Sequence, residues 1–428
     1  MCSVDDGDDG GILMVPKTLL TEKACRSCDN AASVVLRKKD AYCRSCFLNS
    51  SVHKFRATLG KSKMLKAGDK VLSVFTRSHS SMALLHLLHS GLNEEKNKRL
   101  VFNVDLLYID DGMVTGQDIT SRERNVEEVV CLAKSFDFNI LITTLSEVFS
   151  QSPKVAQSLS VDDKREDELK MLFKNVTTMT AKEDLLYQLR QKLVLSVAEV
   201  MDYGKVFTDE VGTDLAVKLL VGISLGRGDQ ISSEVGFCDD RHRKIPILRP
   251  LKDFTHKEMV FYNVFNGIEL ADLTSLTTMC PTDVSIRKTT EAFLSGLQEE
   301  FPSTVYTIFR TGDKLKAESS YTEKDKICTL CDRLIKITPE ENCDAVEALN
   351  FSKQVSEPRT DENDHEAQGN CKGCSCSKKA NPVFCYGCSL ILKDMDNSED
   401  FKFRLFETAV KRRNFESMRE QISEFLIK

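Results

Sequence analysis

Two copies of one tetrapeptide constrain this chain more than anything else in it. Cys25 and Cys28 stand in C-R-S-C, and Cys43 and Cys46 stand in a second C-R-S-C after fourteen intervening residues. A C-x-x-C turn is tight enough to aim two thiolates at one point. Two such turns at this spacing complete a tetrahedral S4 shell of the zinc-ribbon type. A closed shell leaves no position for a substrate, so the Zn2+ it predicts holds structure rather than performing chemistry. A second set is spelled by Cys328 and Cys331 in C-T-L-C and by Cys385 and Cys388 in C-Y-G-C. The residues between its halves, including P-R-T-D-E-N-D-H-E-A-Q-G, are too polar to build a core. A ribbon interrupted in this way still closes its shell. The same stretch holds Cys371, Cys374 and Cys376 in C-K-G-C-S-C. These can replace one pair, bind metal opportunistically or stay inert, and spacing does not choose.

Ten of the 16 cysteines fall in five C-x-x-C pairs, which suits metal binding in a reducing compartment better than a disulfide framework. The N-terminal M-C-S-V-D-D-G-D-D-G-G lacks the basic and apolar regions of a signal peptide, and no apolar run approaches a membrane span. A cytoplasmic protein without a membrane partner is expected. The formal charge of −6 argues against nucleic acid, but its distribution argues back. Between Lys23 and Lys70 lie twelve Lys or Arg and three Asp. Lys54, Arg56, Lys61, Lys63, Lys66 and Lys70 follow the second knuckle directly. Such a run can track a phosphate backbone or be an ordinary solvated helix face, and charge alone leaves both open.

The chain divides accordingly. Residues 1–20 are expected to be disordered and 21–50 to form the ribbon, with a basic connecting helix over 51–66 inside a domain spanning 51–325. From Gly68 onward strand and helix signals alternate. V-L-S-V-F (Val71–Phe75), L-V-F-N-V-D-L-L-Y-I-D-D-G up to Gly112, N-I-L-I-T-T-L (Asn139–Leu145), K-V-F-T-D (Lys205–Asp209) and K-I-P-I-L-R-P-L read as strands. Helices are read in the intervals, and again over 255–265 and 283–300. This order predicts an α/β fold with a doubly wound parallel sheet. Residues 151–170 read as a polar insertion. Residues 326–392 read as the second ribbon, interrupted by disorder over 340–380, and 393–428 as an amphipathic helix.

In such a sheet a ligand binds beyond the carboxyl ends of the strands, beside the switch point. There the first strand runs into T-R-S-H-S-S (Thr76–Ser81). A helix N-terminus in that place attracts phosphate. Yet no glycine occurs between Lys70 and Gly91, so close backbone approach is hindered, and no Walker lysine is present.

The order of ribbon, V-H-K-F-R-A-T-L-G-K (Val52–Lys61), strand–loop–helix, Y-I-D-D-G and second ribbon resembles the PP-loop tRNA thiolation enzymes. Within them it is most similar to the cytoplasmic tRNA 2-thiolation protein 2 family. T-R-S-H-S-S occupies the slot of the motif S-G-G-x-D-S. Ser81 matches it, Thr76 substitutes at its first position, and Arg77, Ser78 and Ser80 replace the glycines and the aspartate. Asp110, Asp111 and Gly112 match an I-D-E-G strand end. T-D-E-V-G-T-D-L-A (Thr208–Ala216) is similar to G-H-N-A-D-D-x-A, with Asp214 in register. R-G-D (Arg227–Asp229) and I-P-I-L-R-P-L match as well. The catalytic paralogues carry a C-x-x-C after the third strand and a later cysteine. Here T-T-M-T-A-K-E-D-L (Thr177–Leu185) has none, and only Cys280 occupies the later place. One thiolate cannot hold an iron–sulfur cluster.

The resemblance implies a subunit that is not catalytic alone, paired with its catalytic paralogue, cytoplasmic tRNA 2-thiolation protein 1. Together they would make the 2-thio group of 5-methoxycarbonylmethyl-2-thiouridine at the wobble position of the tRNAs for lysine, glutamate and glutamine. The partner would use ATP, and sulfur would arrive from a thiocarboxylated ubiquitin-related modifier. Lys54, Arg56, Lys61 and Lys63 would meet tRNA phosphates. Two other readings stand beside it. One is an independent PP-loop ATP pyrophosphatase using Ser81 with Asp110 or Asp111. The other is a zinc-ribbon scaffold. Among single residues, Asp110 and Asp111 can bind Mg2+ or cap a turn. His79, His86 and His89 read as packing groups, Cys131 as a thiol in a helix core and Cys280 as a structural thiol.

Overall fold

The apolar runs become a six-stranded sheet in the computed structural model. It describes residues 23–36, 40–94, 99–228, 231–241, 245–268, 275–278, 280–301, 303–315, 326–335 and 384–396. The segments expected to be disordered (1–20, 340–380, with Cys371, Cys374 and Cys376) and all but the first residues of the expected C-terminal helix lie outside these.

A short antiparallel hairpin, β1 (Val34–Leu36) and β2 (Asp40–Tyr42), leads into α1 (Arg44–Ser62). The helix starts inside the second knuckle, earlier than its charge pattern suggested, because Cys43 takes the extended N-cap conformation. The sheet follows with β3 (Lys70–Val74), α2 (His79–Leu92), β4 (Asn103–Asp110), α3 (Ile119–Ser135) and β5 (Ile140–Thr144). After α4 (Asp163–Asn175) and α5 (Met179–Val200) come β6 (Lys205–Phe207), α6 (Gly212–Ser224), α7 (Ile231–Val235), β7 (Cys238–Asp239) and β8 (Ile247–Leu248). The spatial order is β5-β4-β3-β6-β8-β7. All neighbours are parallel except the edge pair β7–β8. The sequence did not signal the edge strand β7, because Cys238–Asp239, unlike Ile247–Leu248, lies in no apolar run.

Successive strand residues alternate between two cores, as a period of two requires. Val71, Leu106, Ile140, Phe207 and Leu248 join α1, α2, α3 and α8 (His256–Asn266) on one face. Leu72, Leu107, Leu141, Val206 and Ile247 join α4 and α5 on the other. Burial on both faces is why these strands read as continuous apolar runs. Within the expected polar insertion the chain forms α4. Leu169, Leu172 and Phe173, at helical spacing on an otherwise charged segment, are enough to dock it. A third cluster packs α6 and α7 against α9 (Ile286–Glu300) and α10 (Thr304–Lys314). The hairpin β9 (Lys326–Ile327) and β10 (Leu334–Ile335), with α11 (Tyr386–Lys393), completes the described chain.

Where the strands thin, buried charge takes over. Arg249, 1% exposed, donates to Glu210 (2.8 Å) and to the carbonyls of Ser233 (3.2 Å) and Gly236 (2.9 Å). Lys218 meets the other oxygen of Glu210 at 2.8 Å. Burial pushes the Glu210 carboxyl up, but Lys218 and Arg249 overrule it and hold it at about 2. A carboxyl depressed on folding gives stability that is whole above its unfolded pKa and is lost as pH falls through the folded one. This group should therefore remove about 3 kcal/mol of unfolding free energy between roughly pH 5 and pH 2. Urea midpoints measured across that window should fall steeply in the native chain and less steeply in Glu210→Gln.

Candidate functional site: two thiolate centres and an occupied loop

Both C-x-x-C sets converge. Within each, the four sulfurs lie within 4.8 Å of one another. A tetrahedral ion with metal–sulfur bonds of about 2.3 Å spaces its sulfurs about 3.8 Å apart. Cys28 stands 3.6 Å from both Cys43 and Cys46, and Cys331 stands 3.6 Å from Cys385. The two centres share one construction. The residue before the first cysteine bridges the third residue after the second, Ala24 with Ala31 and Ile327 with Leu334. The third cysteine, Cys43 or Cys385, N-caps a helix with nearly identical backbone angles. Ligands must be thiolates, and in each set the surroundings lower two thiols and raise the other two, so the rest of the deprotonation falls to a bound cation. The Ser45 hydroxyl, 3.3 Å from Cys43, pulls its thiol down to about 6. Hydrogen bonds from Cys328 and Cys331 hold Cys385 far below the usual range. Four soft donors closed around one point fit one tetrahedral ion per set, with no position left for substrate.

The centres differ in their setting. Cys28 and Cys46 reach solvent, whereas Cys328 and Cys388 are fully buried and belong to the core beneath the sheet. Arg227 donates to Cys388 Sγ (3.6 Å) and to Asp184 on α5, and these negative partners hold it charged against burial. Lys192 Nζ, also from α5, donates to the Thr329 carbonyl at 2.8 Å inside the knuckle. Neither contact with the knuckles was legible in the sequence, although R-G-D marked Arg227, since Thr329 and Cys388 lie more than a hundred residues from their cations.

At the carboxyl end of β3, Arg77 has φ +64°, the left-handed conformation that the motif meets with glycine. A side chain held there costs about 1 kcal/mol. The guanidinium turns away, donating to Asn125 (2.8 Å) and Glu128 on α3. Ser78 N-caps α2 by accepting from the Ser81 amide at 3.0 Å, and Ser81 Oγ donates to the Ser78 carbonyl. Asp209, just past β6, accepts from both Thr76 Oγ1 (2.6 Å) and Ser78 Oγ (2.7 Å). Burial pushes its carboxyl up. The motif in the sequence points instead to Asp214, which caps α6 through the Val211 amide (3.0 Å) and pairs with His256 (2.7 Å). Asp209 went unnoticed because only the tertiary fold places it against the loop.

The strand-end aspartates are engaged too. Asp110 is 3% exposed and accepts both Nε (2.9 Å) and Nη2 (2.6 Å) of Arg122, which also holds Glu166. Asp111 pairs with Arg190. The basic run is split. Lys54 donates to Glu258 (2.9 Å) over the Phe254 ring, and Arg56 pairs with Glu94. Lys61, Lys63 and Lys66 stand exposed at the end of α1 and in the segment after it, and Lys70, also exposed, opens β3 3.9 Å from Asp202. His86 meets the Tyr262 hydroxyl at 2.9 Å and packs with His89 on Phe136. Cys131 is exposed on α3 rather than in its core, because Val129 and Ala133 take the buried side. Cys280 belongs to neither thiolate set.

The family model for cytoplasmic tRNA 2-thiolation protein 2 matches residues 285–390. The cytoplasmic tRNA 2-thiolation protein 2 of Danio rerio is 31% identical, over 100% of this chain and 99% of the relative. That of Bos taurus is 31% identical over 96% and 94%, and that of Homo sapiens 33% over 69% and 67%. Among solved structures, the U34-tRNA thiolase NcsA from Methanococcus maripaludis, with its 4Fe–4S cluster, superposes with a TM-score of 0.54. The superposition covers 72% of this chain and 95% of that one, and at 15% identity the likeness is one of fold. No helix among the described residues is long and apolar enough to cross a membrane. Identity at this level across the whole chain decides the lineage: the chain belongs to the cytoplasmic tRNA 2-thiolation protein 2 family.

Proposed function

We propose that this chain is the non-catalytic subunit of a cytoplasmic tRNA 2-thiolation complex and contributes tRNA-binding surface to it. The observation that carries this reading is full-length kinship with proteins named for tRNA 2-thiolation, in a chain whose own loop hydroxyls, Thr76 and Ser78, are bonded to Asp209. The catalytic work, activation of the uridine with ATP, then falls to a paired paralogue, cytoplasmic tRNA 2-thiolation protein 1. Sulfur would be delivered by a thiocarboxylated ubiquitin-related modifier to the wobble uridine of the tRNAs for lysine, glutamate and glutamine. The two thiolate centres hold Zn2+ and form the ribbons that frame the domain. Because Lys54 and Arg56 are committed to Glu258 and Glu94, the phosphate contacts fall to Lys61, Lys63 and Lys66.

The test is nucleoside mass spectrometry on tRNA from cells lacking this chain, complemented with the native protein or with Lys61→Glu, Lys63→Glu and Lys66→Glu together. Loss of wobble 2-thiouridine without the chain, full recovery with the native protein and at most one-tenth recovery with the triple variant are expected. Thiolation that persists without the chain would end the proposal. Full recovery by the triple variant would remove the lysines from it.

A further inference from the structure

We propose that Asp209 is an internal anion that occupies the phosphate seat of this fold and thereby keeps the loop closed to nucleotide. The turn into α2 retains the form of an anion cradle, with a left-handed residue at Arg77 and a helix N-terminus behind it. The carboxylate of Asp209 comes from the neighbouring strand across the switch point, where the order β4-β3-β6 reverses. Both loop hydroxyls donate to one of its oxygens, Thr76 at 2.6 Å and Ser78 at 2.7 Å. Ser78 in turn takes up the Ser81 amide, so the carboxylate, the cap and the helix end form one closed relay. In the same first turn the Ser80 hydroxyl is buried, 2% exposed, and has no partner among the described residues. A polyphosphate approaching this turn meets a negative group already seated and the Thr76 and Ser78 hydroxyls already used. The loop is therefore inactive not only because it lost its glycines but also because it gained a resident carboxylate. This inference concerns the occupancy of the loop alone and stands whether or not the chain serves tRNA thiolation.

The experiment titrates inorganic pyrophosphate into the full-length chain calorimetrically, comparing the native protein with Asp209→Ala and Asp209→Asn. The native chain is expected to show no saturable binding at millimolar pyrophosphate. Asp209→Ala should gain at least tenfold in affinity, and Asp209→Asn should gain less, because its carboxamide still accepts one hydroxyl. Binding by the native chain overturns the proposal. So does a folded variant, with native metal content and melting behaviour, that stays inert. If the alanine variant does not fold, the near-isosteric asparagine variant decides.

Discussion

Replacing Cys388 by serine is expected to cost the protein its fold, while replacing Cys28 is expected to cost it only a metal ion. Cys388 and Cys328 have no solvent exposure and sit in the same core as Leu72, Leu185 and Val206. Opening that shell leaves three thiolates buried without their ion and takes from Arg227 one of its two negative partners, Asp184 remaining, a loss on the order of 3–5 kcal/mol before any metal-binding energy is counted. Cys28 lies at the accessible rim of a centre packed against a short hairpin and the start of α1. Metal analysis should give two zinc ions per native chain and one in Cys28→Ser with a near-native urea midpoint. Cys388→Ser should be insoluble or unfold at a much lower midpoint. Native stability in the Cys388 variant would show that the second centre does not organise the core.

The second large effect is expected at Arg122. Its guanidinium joins three elements: Asp110 at the end of β4, Glu166 on α4, and α3, on which it stands. Arg122 and Asp110 are both under 5% exposed. Arg122→Met strands two carboxylates in low dielectric and should lower stability by about 3–5 kcal/mol. Arg122→Lys should recover little, since one ammonium cannot reproduce a fork reaching both acids. Chemical denaturation of the three proteins measures this, and a native midpoint in the methionine variant would refute it.

These examples mark the boundary between what the sequence discloses and what it withholds. The strands were legible because burial on both faces leaves an unbroken apolar signature, as in Ile140–Thr144. The first thiolate set was legible because its spacing is local. The second needed the assumption that Cys331 and Cys385 meet across a long polar stretch, and they do. Charge was the least transparent. Lys54 and Lys63 look alike along the chain, yet only Lys54 has a carboxylate waiting, from Glu258 some two hundred residues away. Asp209 and Asp110 show the same limit, because an acidic residue at a strand end has no recognisable role until its partner is known.

The sheet carries a further consequence for how the molecule opens. Its ladder is uneven: five register pairs join β3 to β4 and five join β4 to β5, but three join β3 to β6 and two join β6 to β8. Local opening is therefore expected to start on the β6–β8 flank, where backbone pairing is sparse and the ion pairs of Arg249 and Glu210 hold the seam, and native-state hydrogen exchange should show faster amides at Val206 and Leu248 than at Leu107. That flank also carries Asp209, so the group closing the loop is mounted on the sparsely paired side of the sheet. The loop's closure is thus a matter of time scale as well as geometry, lasting as long as the seam beside it stays shut.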